Sequence, residues 1–117
     1  MSETISISTH VLDTAFGAPA AGVAVTLERM ELNDSSSTMS RGTTDADGRI
    51  AALAPVNGSV TPGAYRLCFH VAEYFAATRR TSFYNDICVN FIVGDAAQHY
   101  HVPLLLSPFG YSTYRGS

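Results

Sequence analysis

Two histidines set two residues apart, His99 and His101, have the spacing with the clearest chemical potential in this chain. In a strand, side chains at i and i+2 share a face, so the two imidazoles stand side by side while Tyr100 points away. Paired imidazoles suit proton transfer, because histidine titrates near neutral pH. His-x-His on a strand also suits a chelated metal such as zinc. On the residues alone, a plainer reading precedes both: imidazoles satisfying hydrogen bonds where a strand begins. His10 shares the polar side of its run with Ser6 and Ser8 and by itself reads as a surface histidine. His70 opposes the apolar face of its strand and receives no role. Arg49 follows the turn Asp45-Ala46-Asp47-Gly48, where an arginine is ordinarily solvated. That turn invites a calcium-loop reading, but Arg49, Ile50, Ala51 and Ala52 stand where further oxygen ligands would be needed, and the reading fails. The sequence has no nucleophile elbow, phosphate-binding glycine loop or HExxH motif.

The elements that must position these residues are short alternating or apolar runs separated by turns, a pattern that predicts an all-β sandwich or barrel. From Thr4 to Leu12, Ile5, Ile7, Thr9 and Val11 point one way, and Ser6, Ser8 and His10 the other. Val23 to Met30 sets Val23, Val25 and Leu27 on one face, and Asn33 to Ser37 reads as an exposed loop. Tyr65 to Val71 and Ile87 to Val93 alternate again, the first through Tyr65, Leu67, Phe69 and Val71, the second through Ile87, Val89, Phe91 and Val93. Glu73 to Arg80 lacks alternation and predicts the one short helix. His99 to Leu106 is almost uninterruptedly apolar beyond its histidines, which suits a strand covered on both faces, here against another subunit. Tyr111 to Tyr114 reads as a last short strand, and the tail after it as a docked end.

At 117 residues the chain is one domain, spanning 1–117, large enough to bury a core without disulfides. Hydrophobic residues at 46% against 15% charged exclude a disordered tail. A net charge of -3 with no clustered basic face excludes a nucleic-acid partner. No apolar run is long enough for a membrane span, and no leader or peroxisomal tripeptide is visible, so the expected location is cytoplasmic. Cys68 and Cys88 are too far apart for a Cys-x-x-Cys motif and are expected as two buried free thiols, with a bridge between them as the lesser alternative.

Three segments stand out together: Ile7-Ser8-Thr9-His10-Val11-Leu12-Asp13-Thr14 with Gly17 and Pro19-Ala20, then Thr44-Asp45-Ala46-Asp47-Gly48-Arg49, and finally His99 to Pro108 running into Tyr111-Ser112-Thr113-Tyr114-Arg115-Gly116-Ser117. In this order they resemble the 5-hydroxyisourate hydrolase family, also called transthyretin-related proteins. The last four residues match the family's C-terminal Tyr-Arg-Gly-Ser signature. One departure is Asn85 after Phe83-Tyr84, where family members often carry proline. The resemblance implies a transthyretin-like (prealbumin-like) sandwich of two four-stranded sheets with one short helix. It also implies a homotetramer with active sites in a channel between subunits. It places the site on His10, Arg49, His101 and Tyr114 as catalytic residues, with His10, Arg49, Tyr114 and Ser117 contacting substrate and His99 beside them.

The activity so implied is hydrolysis of one ring amide of 5-hydroxyisourate, giving 2-oxo-4-hydroxy-4-carboxy-5-ureidoimidazoline. No metal or cofactor is expected, because the ring amide is already activated. His101, with His10 as the other candidate, would serve as general base on water, a role worth ~10²–10⁴-fold. Arg49 offers a permanently charged fork to substrate carbonyls and developing negative charge, and Tyr114 closes one wall. Two other readings compete. One is a transthyretin-like carrier of a hydrophobic small molecule in the same channel, which a tyrosine at position 114 would narrow. The other is a metal-binding β-domain through His10, His99 and His101.

Overall fold

In the computed structural model, which describes residues 5–33, 35–55, 60–95 and 98–116, nine strands and one helix follow each other along the chain. They are β1 (Ser6–Asp13), β2 (Ala18–Pro19), β3 (Ala24–Met30), β4 (Ser36–Thr43), β5 (Arg49–Ala54), β6 (Gly63–Phe69), α1 (Val71–Ala77), β7 (Ile87–Val93), β8 (His99–Ser107) and β9 (Gly110–Thr113). One sheet has the order β2-β1-β8-β9 with β5 also on β1, and the other the order β4-β3-β6-β7. The expected two sheets and single helix are present. The first sheet counts five strands because β8 takes one edge of β1, leaving β2 and β5 to share the other.

Alternation decides which faces meet. Ile7 and Val11 of β1, Val25 and Leu27 of β3, Leu67 and Phe69 of β6, and Leu104 and Leu106 of β8 are buried between the sheets. Each such side chain contributes about 1.5–3 kcal/mol by leaving water. The polar alternates Ser6, Ser8 and His10 therefore stand on the outward face of the first sheet.

β7 has the predicted bounds. Val71 closes no strand; it opens the helix, because His70 breaks the β6 ladder at the N-cap position. There His70 is held between the Thr26 hydroxyl (2.9 Å from Nε2) and the Asp86 carboxylate (3.2 Å from Nδ1). The predicted loop over 33–37 is in part the start of β4, a largely exposed edge strand whose polar residues show no buried alternation. Cys68 is buried as expected, but Cys88 is exposed, because it sits on the outward side of an edge strand.

Asp13, within the first of the three sequence segments, is a structural residue. Its fully buried carboxylate accepts hydrogen bonds from Arg80 (2.6 Å), Tyr74 (2.7 Å) and the amides of Ala15 and Phe16, fixing the end of β1 against the helix. Burial alone would raise its pKa; the Arg80 and Tyr74 hydrogen bonds outweigh that and hold it below the ordinary value.

Candidate active site

The parallel pairing of β1 with β8 aligns Ser6 with His99 and Ser8 with His101, and the antiparallel pairing of β1 with β5 aligns His10 with Arg49. Three separate stretches of sequence thus deliver their polar side chains to one outward face. Tyr100 is turned into the core between the two imidazoles, whose rings lie nearly parallel at an interplanar angle of 18° with centroids 6.3 Å apart.

Ser8 stands between the histidines. Its hydroxyl is 2.7 Å from His99 Nε2 and 2.7 Å from His101 Nδ1, and the Ser6 hydroxyl is 2.6 Å from His99 Nδ1. Each hydroxyl has one proton to donate, so the chain Ser6–His99–Ser8–His101 is satisfied in one of two directions. In one direction His101 Nδ1–H donates to Ser8, Ser8 donates to His99 Nε2, and His99 Nδ1–H donates to Ser6. The lone pair on His101 Nε2 is then free, as a base requires. Burial, followed by the electrostatic influence of His99, Arg49 and His10, lowers the His101 pKa below its ordinary 6.5 and favours a neutral ring in either direction of the chain.

The far edge of the His101 ring is set by the tail. Gly116 N–H donates to the His101 carbonyl at 2.9 Å, and a Cβ at position 116 would come within 2.6 Å of His101 Cδ2 and 3.2 Å of Pro103 Cγ. Only glycine fits this approach. Arg115 anchors the same tail, with its guanidinium 4.7 Å over the Tyr100 ring and donating to Gln98 at 2.6 Å.

The Asp45–Gly48 turn positions Arg49. Asp45 Oδ1 accepts from the amides of Asp47 (2.9 Å) and Arg49 (3.0 Å), and the Gly48 carbonyl accepts from Val11 N–H at 2.7 Å. Gly48 has φ 75 and a Cβ there would strike the Val11 carbonyl, so the turn docks on β1 only with glycine. Asp45 Oδ1 thus closes the turn on its own chain. His10 Nε2 is 2.9 Å from the Asp47 carbonyl. A carbonyl only accepts, so Nε2 carries the proton and Nδ1 is left as the acceptor. Arg49's guanidinium makes no hydrogen bond or salt bridge among the described residues.

Ser8, Thr9, Arg49, Ala51, His99 and His101 line a cleft of about 220 Å³. Arg49 and His101 share this cleft, and His10, paired with Arg49 across the β1–β5 ladder, stands beside it without lining it. Tyr114 lines a neighbouring cleft of about 230 Å³ that shares His101 with the first, and it is 56% exposed. Ser117 lies outside the described residues. Ser8 is not among the expected site residues; its alternation with His10 is the signal the sequence carries, while its register with His101 exists only in the folded sheet. Among the described residues no cluster of three or more His, Cys, Asp or Glu is arranged to hold a metal ion. In His99 and His101, three of the four ring nitrogens face serine hydroxyls.

The HIUase/Transthyretin family model matches residues 7–116, a span that contains every element of this cleft. The chain belongs to the HIUase/transthyretin family. A relative from Deinococcus radiodurans, a 5-hydroxyisourate hydrolase, is 46% identical, the match covering 100% of both chains. The solved 5-hydroxyisourate hydrolase of Klebsiella pneumoniae superposes with a TM-score of 0.83 at 38% identity, covering 96% of this chain and 99% of that one. Sea bream transthyretin, solved in complex with thyroxine, superposes with a TM-score of 0.88 at 29% identity, over 95% of this chain and 94% of that one. The family frame thus holds both a 5-hydroxyisourate hydrolase and a transthyretin in complex with thyroxine, and the outward face of the first sheet is where the two readings of this chain diverge.

Proposed function

We propose that this chain hydrolyses 5-hydroxyisourate to 2-oxo-4-hydroxy-4-carboxy-5-ureidoimidazoline, with His101 as general base. The observation that carries the proposal is the pairing, in one cleft, of an oriented neutral imidazole with an arginine that has no acidic partner among the described residues. His101 Nε2 takes a proton from water as the water oxygen attacks a ring carbonyl. Arg49 faces the negative charge that develops on the carbonyl oxygen. When the tetrahedral intermediate collapses, the ring C–N bond breaks and the protonated His101 returns its proton to the departing nitrogen. Ser8, itself held by His99, keeps the His101 proton on Nδ1 and so aims the lone pair outward; it is a positioning residue. His10, with its free Nδ1, contacts substrate beside Arg49. Tyr114 and Ser117 are assigned to the substrate wall nearest the tail.

Assembly into a homotetramer, with the cleft facing a subunit interface, and a cytoplasmic location belong to the same proposal; light scattering and cell fractionation test them. The decisive assay generates 5-hydroxyisourate in place with urate oxidase and follows its ultraviolet band. Decay faster than the enzyme-free blank is expected. Decay at the blank rate, together with tight binding of a bulky apolar ligand, would move the chain to the carrier branch.

A further inference from the structure

The chain has two cysteines, and the antiparallel ladder of β6 and β7 sets them directly opposite one another, Cys68 against Cys88. Opposed Cα atoms in such a ladder lie about 4.5–5.5 Å apart, inside the roughly 4.4–6.8 Å that a disulfide spans. Opposed side chains also leave the sheet on the same side. Here that is the outward face of the second sheet, since the neighbours Leu67 and Phe69 are buried inward. Both thiols are free.

Their surroundings divide the labour. Cys88 is exposed and meets reagents from solution. Cys68 is 8% exposed and donates its S–H to Glu28 Oε1 at 3.2 Å. Burial, then the adjoining Cys88 and Glu28, push the Cys68 thiol far up, so it does not react first.

We propose that Cys68 and Cys88 are a reversible oxidation site, attacked by a peroxide at Cys88 and closed by Cys68 into a cross-strand disulfide. In the first step the Cys88 sulfur attacks a peroxide oxygen, the O–O bond breaks, and a sulfenic acid forms with release of water from hydrogen peroxide. In the second, the Cys68 sulfur attacks the Cys88 sulfur, the S–O bond breaks, and the hydroxyl departs with the Cys68 proton as water. Two thiols give up two hydrogens and two electrons, and one peroxide becomes two waters. The bridge ties β7, the edge strand of its sheet, to β6. It stands on the opposite sheet from the hydrolytic cleft and does not depend on the proposed reaction.

The test treats the full chain with hydrogen peroxide, alkylates remaining thiols after denaturation, and reads intact mass. The expected product is a single chain lighter by two hydrogens, with neither cysteine alkylated and full reversal by dithiothreitol. Its thermal midpoint should rise by about 10 °C, since closing the loop between the two strands restricts the unfolded chain. Cys68→Ser should stop at a Cys88 sulfenic acid that dimedone traps, and Cys88→Ser should keep an unmodified Cys68. Wild-type chains that add oxygen at Cys88 without losing hydrogens, that link between chains, or that stay fully alkylated would each overturn the proposal. The wild-type mass decides on its own should either variant fold poorly.

Discussion

On the outward face of the β4-β3-β6-β7 sheet, Arg66 donates from Nε and Nη2 to the two oxygens of Glu28 at 3.1 Å each, and His70 is pinned to Asp86. On the outward face of the other sheet, Arg49's guanidinium pairs with no acid among the described residues, and His101 is hydrogen-bonded to a hydroxyl rather than a carboxylate. Charges on the first of these faces are consumed in holding strands together. Those on the second are held in place by backbone and hydroxyl groups, with their functional ends left over. A cation kept without an acid does little for folding, and its charge is available to a ligand. The same contrast reaches His101: burial, then its neighbours His99, Arg49 and His10, lower its pKa and favour the free base.

The comparison breaks if substitutions on the two faces cannot be told apart. The largest effect is expected for His101→Asn and Arg49→Glu, each lowering kcat by ~10²–10⁴-fold with little change in thermal midpoint. A wild-type rate in either variant removes that residue from the mechanism. Gly116→Ala, which forces the tail against the imidazole, should cost about 10²-fold in rate by displacing the base, as small misplacements do. An unchanged rate would mean the ring moves freely.

Glu28→Gln should do the reverse. It leaves turnover alone and lowers stability by about 1–3 kcal/mol, measured by urea unfolding near neutral pH, because Arg66 loses its carboxylate. The pH dependence sharpens the point. Hydrogen bonds from Arg66, then Ser36, hold Glu28 at about 2 against an ordinary 4.5. Its contribution is therefore complete above pH 4.5 and is lost as pH falls toward 2. The Gln variant should lack that acid-dependent loss; if it keeps it, another carboxylate is responsible.

The smallest effect concerns His101 itself. A base with a lowered pKa stays unprotonated further into acid, so the acid limb of kcat/KM should fall below pH 6.5. His99→Gln removes one of the groups whose electrostatic influence depresses it and should move the limb upward. A downward shift would contradict the electrostatic account.

Much of the fold was legible because burial writes itself into alternation. β7 shows this residue for residue, and β1 shows it with both its inward apolar and outward polar sets. The strands that alternation did not reveal, β2, β4 and β5, bury few residues, none in β2 or β4 and only Leu53 and Ala54 in β5, so pairing costs the sequence no recognisable pattern. The exposure of Cys88 escaped for a related reason, since an edge position is a property of sheet order and not of composition.

The sequence by itself determined the residue types, the strand periodicity that puts His99 and His101 on one face, and the three segments that mark the family. Tertiary structure alone decided that His10 meets Arg49, that Ser8 reaches both imidazoles, that Gly116 seats against His101, and that Cys68 faces Cys88. All four are matters of register between strands or segments far apart in the chain. Register is set by which apolar faces bury together, a condition on the whole sandwich that no single stretch of residues contains.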